Sequence, residues 1–163
     1  MSDLLWYFAY GSNLDAETFL GRRGMRPLET RVAALADFEL RFDLPVGPGE
    51  RAVANVGPRP GEVVWGAAYQ LPAADADRLD RTEGVHRGFY QRLPVELRAF
   101  EGDRLPAFTY ASARGVAGRK PSRRYLGLIL AGARRHGLPA EWIARLRALP
   151  LAVDERETQL SLF

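Results

Sequence analysis

Hydrophobic and polar positions alternate along much of the chain, and this alternation predicts a protein rich in β-strands. Leu4 to Tyr10 is a short aromatic-rich run, which is typical of a buried strand. From Arg31 to Leu44 the apolar residues recur at every second position, the period of one or two half-buried strands. A short strand over Arg51 to Val56 and a run apolar on both faces from Glu62 to Leu71 follow.

Glycine and proline divide these strands from one another. The stretches Gly47 to Gly49 and Gly57 to Gly61 predict loops on either side of the short strand. Later in the chain, alternation over Phe89 to Phe100 and a second run over Arg104 to Ala111 flank the turn residues 101–103. This second pair predicts a β-hairpin.

Four other segments have the spacing and the end signals of helices. They begin at Ser, Asn, Asp or Pro, which favour a first helical turn, and they end at Gly or Pro. The predicted helices follow Asn13 or Asp15 up to Gly21 and Gly24, run from Pro72 to Gly84, run from Ser122 to about His136, and run from Pro139 to Pro150.

Most strands precede the longer helices along the chain, which favours a mixed α/β (α+β) architecture built around a largely antiparallel sheet or barrel. With 163 residues, the chain has the length of one domain. We expect a single domain over residues 1–150 and a C-terminal tail over residues 151–163.

The charge balance is basic, with a net charge of +3 and 22 arginines against one lysine. Clustered arginines can bind nucleic acid, but these are spread among acids and form no run of five like charges. We therefore expect a solvated surface and no nucleic-acid partner. The absence of cysteine and the presence of two histidines argue against a disulfide framework, a thiolate nucleophile and a metal site. No signal peptide or membrane span is apparent, so we expect a cytoplasmic protein without a membrane partner.

Two segments are candidates for chemistry. The residues Tyr10, Gly11, Ser12 and Asn13 form a strand-to-helix turn whose backbone N–H groups can hold an anion such as a carboxylate, although an ordinary tight turn has the same composition. Glu83 lies at the end of a predicted helix, whose negative C-terminal end opposes ionisation of a carboxyl group. It is either a proton carrier or a solvated glutamate.

The two segments together resemble known motifs. Tyr7 to Leu14 is similar to the N-terminal signature of the γ-glutamylcyclotransferase family, and Leu79 to Val85 resembles its second signature, which contains the catalytic glutamate. Pro121 to Tyr125 is similar to the family's later helical region. The resemblance extends over roughly residues 4–149, and the motifs occur in the family's order.

The resemblance implies a small mixed β-barrel flanked by helices and an enzyme without cofactor or metal. In that reaction the α-amine of a γ-glutamyl compound attacks its own γ-carbonyl and releases 5-oxoproline. The resemblance assigns Glu83 as the general acid and base and the turn from Tyr10 to Asn13 as the site of the substrate α-carboxylate. Tyr90 and Tyr125 match tyrosines near the pocket, and core packing is the alternative for both.

Several alternatives stay open at this point. Arg87 lies in a segment that would face the leaving group, where it either attracts a carboxylate or is an exposed turn residue. The expected partner is a small γ-glutamyl compound, and the expected assembly is a monomer or a homodimer. The same fold is also compatible with a non-catalytic module that binds a carboxylate metabolite, and basic composition leaves nucleic-acid binding as a less favoured function.

Overall fold

The computed structural model describes residues 3–153, which form five strands and three α-helices. The strands are β1 (Leu4–Ala9), β2 (Glu29–Pro45), β3 (Ala52–Pro72), β4 (Gln91–Ala99) and β5 (Arg104–Ala111). The helices are α1 (Ala73–Thr82), α2 (Arg123–His136) and α3 (Ala140–Arg147). Short helical turns occur at Ser12–Leu14, Glu17–Arg22 and Val85–Arg87.

The strands close into one barrel in the order β1-β3-β2-β4-β5. All pairs within this order are antiparallel, and β5 returns to β1 through a parallel contact between Tyr7 and Phe108. The mixed α/β architecture with a largely antiparallel barrel flanked by helices is therefore confirmed. In the closed barrel β1 has a neighbour on each side, β3 and β5. The turn that follows β1 therefore begins at the end of a strand that is held on both edges.

The structure corrects the loop predicted at Gly57 to Gly61, which lies inside the 21-residue strand β3. The cause is a bulge in the partner strand: Asp37 has φ 63°, and the β2–β3 register shifts between Ala36 and Phe38. The Asp37 carboxylate accepts a hydrogen bond from the Gly61 amide at 2.9 Å. A bulge tolerates proline and glycine in a strand because the regular ladder is already interrupted there.

The segment after Asn13 is helical as predicted, but it is not one regular α-helix. The chain forms a 3₁₀ turn at Ser12–Leu14 and then a π-helix at Glu17–Arg22. Asp15 starts the second segment, because its carboxylate accepts from the amide of Thr18 at 3.0 Å and from its hydroxyl at 2.9 Å. The wider turn buries Phe19, whose ring stacks on Tyr69 with centroids 4.2 Å apart.

The other helices and the hairpin agree with the sequence prediction. The Tyr125 amide donates to the Ser122 hydroxyl at 3.1 Å, and Gly137 ends α2 with φ 73°. Helix α1 begins directly after Pro72, and β4 and β5 pair across the predicted turn. No helix among residues 3–153 has the length and apolar character needed to cross a bilayer.

Helix α2 packs tightly on the 3₁₀ turn. Gly132 makes this approach possible, because a Cβ atom there would lie 2.4 Å from the carbonyl carbon and oxygen of Leu14. The tail predicted after residue 150 is described only as far as Val153, whose amide donates to a Glu50 carboxylate oxygen at 3.0 Å. Residues 154–163 lie outside the described residues, and the predicted domain boundary stays a prediction.

Candidate active site

The barrel and the first helix bring together the two segments that the sequence singled out. The turn Ser12–Leu14 follows β1, and Glu83 is the residue that ends α1. The Asn13 side-chain nitrogen Nδ2 donates to Oε1 of Glu83 at 2.8 Å. Two segments 70 residues apart in the chain are thus joined by one hydrogen bond.

Glu83 opens onto a cavity of about 520 Å³ beside the mouth of the barrel. Ser12 and Tyr90 line the same cavity, so one residue of the β1 turn, the candidate proton carrier and one predicted tyrosine share it. The remaining charged side chains on its wall are arginines, Arg23, Arg81 and Arg87. The Glu83 side chain is 12% exposed, so it is accessible from the cavity but largely removed from bulk water.

Asn13 lies behind the cavity wall, where all of its side-chain hydrogen-bonding groups are engaged. Its Nδ2 also donates to the Tyr7 hydroxyl at 2.8 Å, and its Oδ1 accepts from Nε of Arg23 at 2.6 Å. Asn13 is only 5% exposed. A buried amide with fixed partners holds one rotamer, so Asn13 fixes the position of the Glu83 carboxylate.

Glu83 has two polar side chains as neighbours. Asn13 Nδ2 donates to its Oε1 at 2.8 Å, and Nε of Arg23 lies 3.7 Å from the same oxygen. Both contacts are made to one carboxylate oxygen, which they hold in place.

Arg23 and Tyr7 are the site residues that sequence reasoning missed. Arg23 was one of many arginines, and Tyr7 lay in a strand predicted as core. Burial raises the pKa of Tyr7 well above its usual range, and the nearby Glu83 charge acts in the same direction. The Tyr7 hydroxyl therefore stays protonated and serves as a neutral partner for Asn13. Tyr7 belongs to the first motif, but nothing local indicates its contact with Asn13, and no local signal distinguishes Arg23, because both roles depend on contacts across the fold.

The predicted tyrosines take three different positions. Tyr10 is buried, and its hydroxyl donates to the Tyr110 carbonyl at 2.5 Å, so its side chain belongs to the core. The hydroxyl of Tyr90, on the cavity wall, donates to the carbonyl of Ala54 at 2.5 Å. The Tyr125 hydroxyl accepts from the Ala54 amide at 3.0 Å and borders an adjoining cavity of about 270 Å³.

These hydroxyls are neutral at physiological pH. Burial raises the pKa of Tyr125 to about 12, although hydrogen bonds from the backbone of Ala54 and from Ser12 act in the opposite direction. Burial likewise raises the pKa of Tyr90 and of Tyr10 well above the usual range. The tyrosines can therefore donate or accept hydrogen bonds at the cavity, but they carry no charge.

The backbone of the turn is open at its beginning. Its internal hydrogen bonds start with the Leu14 amide, which donates to the Gly11 carbonyl at 3.0 Å, so the amides of Ser12 and Asn13 precede them. Gly11 permits this close packing, since a Cβ atom there would lie 3.2 Å from both the Ala54 Cβ and the Tyr125 hydroxyl oxygen. Amides at the start of a helical turn can bind a carboxylate, and the Ser12 amide is also within hydrogen-bonding reach of the Tyr125 hydroxyl.

Comparison with known proteins agrees with this geometry. A sequence profile of the AIG2-like family matches residues 63–146, slightly more than half of the chain. The γ-glutamylcyclotransferases of Bos taurus and Homo sapiens are each 32% identical to the chain over 147 residues, covering 88% of this chain and 77% of theirs. A solved γ-glutamyl cyclotransferase superimposes with a TM-score of 0.80 at 27% identity, over 99% of this chain and 100% of the other. The chain therefore belongs to the γ-glutamylcyclotransferase family.

Proposed function

We propose that the protein converts small γ-glutamyl amino acids or related amides into 5-oxoproline and a free amino acid or amine. One observation carries the proposal: Glu83 and the turn that follows β1 meet at one cavity, joined by the Asn13–Glu83 hydrogen bond. The relatives named γ-glutamylcyclotransferase support the same activity. The cavity of about 520 Å³ has room for a dipeptide-sized substrate.

The reaction needs one proton carrier. Glu83 accepts a proton from the substrate α-ammonium, and the freed amine attacks the γ-carbonyl carbon to close a five-membered ring. A C–N bond forms within the glutamyl group, and the bond to the leaving nitrogen breaks. Glu83 then returns the proton to that nitrogen. The ring nitrogen loses its second proton as it becomes an amide, and Glu83 passes this proton to the released amine, which leaves as an ammonium, so the carboxylate is regenerated. The nucleophile belongs to the substrate, and the enzyme contributes proton transfer and orientation.

The turn after β1 supplies the anchor. We propose that the amides of Ser12 and Asn13 bind the glutamyl α-carboxylate, with Arg23 contributing positive charge from the cavity wall. Binding there folds the substrate so that its amine faces Glu83. The Tyr90 hydroxyl donates to the Ala54 carbonyl and the Tyr125 hydroxyl accepts from the Ala54 amide, so both tyrosines hold the part of β3 that packs against Gly11.

A turnover assay tests the proposal. The protein is incubated with a panel of γ-glutamyl dipeptides and γ-glutamylamines, and released 5-oxoproline is measured. We expect turnover of at least one compound, and we expect Glu83→Gln to lower kcat by about 10²- to 10⁴-fold, the range typical of general acid–base catalysis. Gln keeps the oxygen that accepts from Asn13, so the fold and the thermal midpoint are expected to be unchanged.

The matched control is Glu141→Gln, which removes an exposed carboxylate from the first turn of α3. It is expected to retain wild-type turnover. Absence of 5-oxoproline with every compound would reject the activity, and a γ-glutamyl ligand that binds and stays intact would favour a non-catalytic binding module. Near wild-type turnover by Glu83→Gln would reject Glu83 as the proton carrier.

A further inference from the structure

The charges on the cavity wall are unbalanced. Glu83 is its one acidic residue in the described part of the chain, whereas Arg23, Arg81 and Arg87 all contribute to it. Arg23 is engaged by Asn13 and lies near Glu83. Within residues 3–153, neither Arg81 nor Arg87 forms an ion pair, and both side chains are exposed at the cavity. The surplus positive charge favours a ligand with more than one anionic group.

Arg87 and the β1 turn reach the same cavity from different segments. Ser12 comes from the turn after β1, whereas Arg87 belongs to the short helical turn Val85–Arg87 that follows Glu83 in the chain, and all three residues line the cavity. For a substrate whose glutamyl group lies at the β1 turn, with its γ-carbonyl near Glu83, Arg87 is therefore a cation on the wall that the leaving group can contact.

The backbone that carries Arg87 is held in a defined conformation. Gly84 and Gly88 flank the turn with φ values of 69° and 71°, a region that favours glycine. The Arg87 amide donates to the Gly84 carbonyl at 3.0 Å. From the other side, the Arg114 guanidinium donates to the Arg87 carbonyl at 3.4 Å and lies 5.5 Å from the centre of the Phe89 ring. The Arg87 guanidinium is thus carried by a turn whose backbone is held by hydrogen bonds.

The substrates proposed above differ in charge at this position. A γ-glutamyl amino acid carries two carboxylates, one on the glutamyl group and one on the leaving group, whereas a simple γ-glutamylamine carries only the first. We propose that Arg87, assisted by Arg81, binds the carboxylate of the leaving group and makes the enzyme select γ-glutamyl amino acids over γ-glutamylamines. The inference rests on the proposed function, because it concerns the second half of the same substrate.

Two substrates that differ only in this carboxylate provide the test. γ-Glutamylalanine and γ-glutamylethylamide have leaving groups of the same carbon skeleton, apart from the carboxylate that alanine adds. We expect wild-type kcat/KM to be at least about tenfold higher for γ-glutamylalanine, the scale of one charge-assisted hydrogen bond in a partly enclosed site. Raising the salt to about 1 M, where the Debye length falls to about 3 Å, is expected to reduce this preference.

Variants assign the preference to particular side chains. The double variant Arg81→Gln/Arg87→Gln is expected to lose about tenfold in kcat/KM for γ-glutamylalanine and to stay within about twofold of wild type for γ-glutamylethylamide. Arg87→Lys keeps the charge and is expected to retain part of the preference. Arg147→Gln, which removes an exposed arginine from the end of α3, is the control and is expected to behave as wild type.

The outcomes separate this inference from the proposed function. Turnover of both compounds at similar efficiency by the wild-type enzyme would overturn the carboxylate site and leave the cyclotransferase activity intact. An equal loss for both compounds in the double variant would also overturn it, since it would point to a structural role. If neither compound yields 5-oxoproline, the proposed function and this inference both fail.

Discussion

Asn13 and Glu83 are joined by a hydrogen bond of 2.8 Å from an amide nitrogen to a carboxylate oxygen. The donor is 5% exposed and has two further partners, Tyr7 and Arg23, so its orientation is determined before any substrate arrives. A proton carrier performs best when its reacting oxygen is held within hydrogen-bonding distance of the substrate. Asn13 of the first motif therefore orients Glu83 of the second motif through this hydrogen bond.

The first prediction concerns this contact. Asn13→Ala is expected to lower kcat by about tenfold or more, because the Glu83 carboxylate loses the neighbour that orients it. It is also expected to cost about 1–3 kcal/mol of stability, since buried partners lose their hydrogen bonds. The readouts are kcat and KM measured separately, together with urea denaturation.

Tyr7→Phe is the matched variant for that experiment. It removes the other acceptor of the same Asn13 nitrogen but leaves the contact with Glu83 in place. We expect a comparable loss of stability with a much smaller loss of kcat. Equal losses of kcat in Asn13→Ala and Tyr7→Phe would contradict a specific role of the Asn13–Glu83 bond.

The second prediction concerns the packing of α2 against the β1 turn. In Gly132→Ala the new methyl group would lie 2.4 Å from the Leu14 backbone, so the turn must move away from the helix. We expect a destabilisation of about 1–3 kcal/mol and reduced turnover, because the displaced turn carries Ser12 and Asn13. Thermal unfolding and the 5-oxoproline assay provide the two measurements.

The same helix offers a control for this substitution. Gly127 is exposed, and a Cβ atom there would meet no other heavy atom within 4 Å. Gly127→Ala is therefore expected to stabilise the protein by about 0.5–1 kcal/mol through helix propensity and to leave turnover unchanged. Similar behaviour of the two variants would show that close approach at Gly132 does not position the turn.

The third prediction is a pH dependence of stability. Burial lowers the pKa of His136 to about 4, and the positive charge of Arg135 acts in the same direction. In the unfolded chain a histidine has a pKa of about 6.5. Between these values the unfolded state binds more protons, so stability is lost as the pH falls from about 6.5 to about 4 and changes no further below that through this group.

For a partly exposed ring the contribution is on the order of 1–2 kcal/mol after allowance for solvent screening. Urea denaturation across this pH range measures it. His136→Gln is expected to flatten the pH dependence. A wild-type slope in His136→Gln would assign the acid sensitivity to other groups.

The strand pattern and the helix ends could be predicted from local sequence. Period-two alternation predicted β2 and β4, the turn at residues 101–103 predicted β5 as the partner of β4, and Ser122 and Gly137 marked the two ends of α2. Each of these signals depends on neighbours in the chain. The prediction failed at Gly57 to Gly61, where a bulge at Asp37 on the partner strand allows glycine and proline inside β3. The bulge lies in β2, so the local propensities of residues 57–61 cannot indicate that a strand passes through them.

The sequence by itself determined most of the strands and helices, the two motifs and the candidates Glu83 and Ser12, since these follow from periodicity, turn chemistry and motif order. Only the tertiary structure decided that Asn13 holds Glu83 and that Arg23 completes this network. It also placed Arg87 on the cavity wall. The Arg23–Asn13 and Asn13–Glu83 contacts join side chains that are 10 and 70 residues apart in the chain. Barrel closure and helix packing set the distances between such side chains, and these distances cannot be read from the sequence.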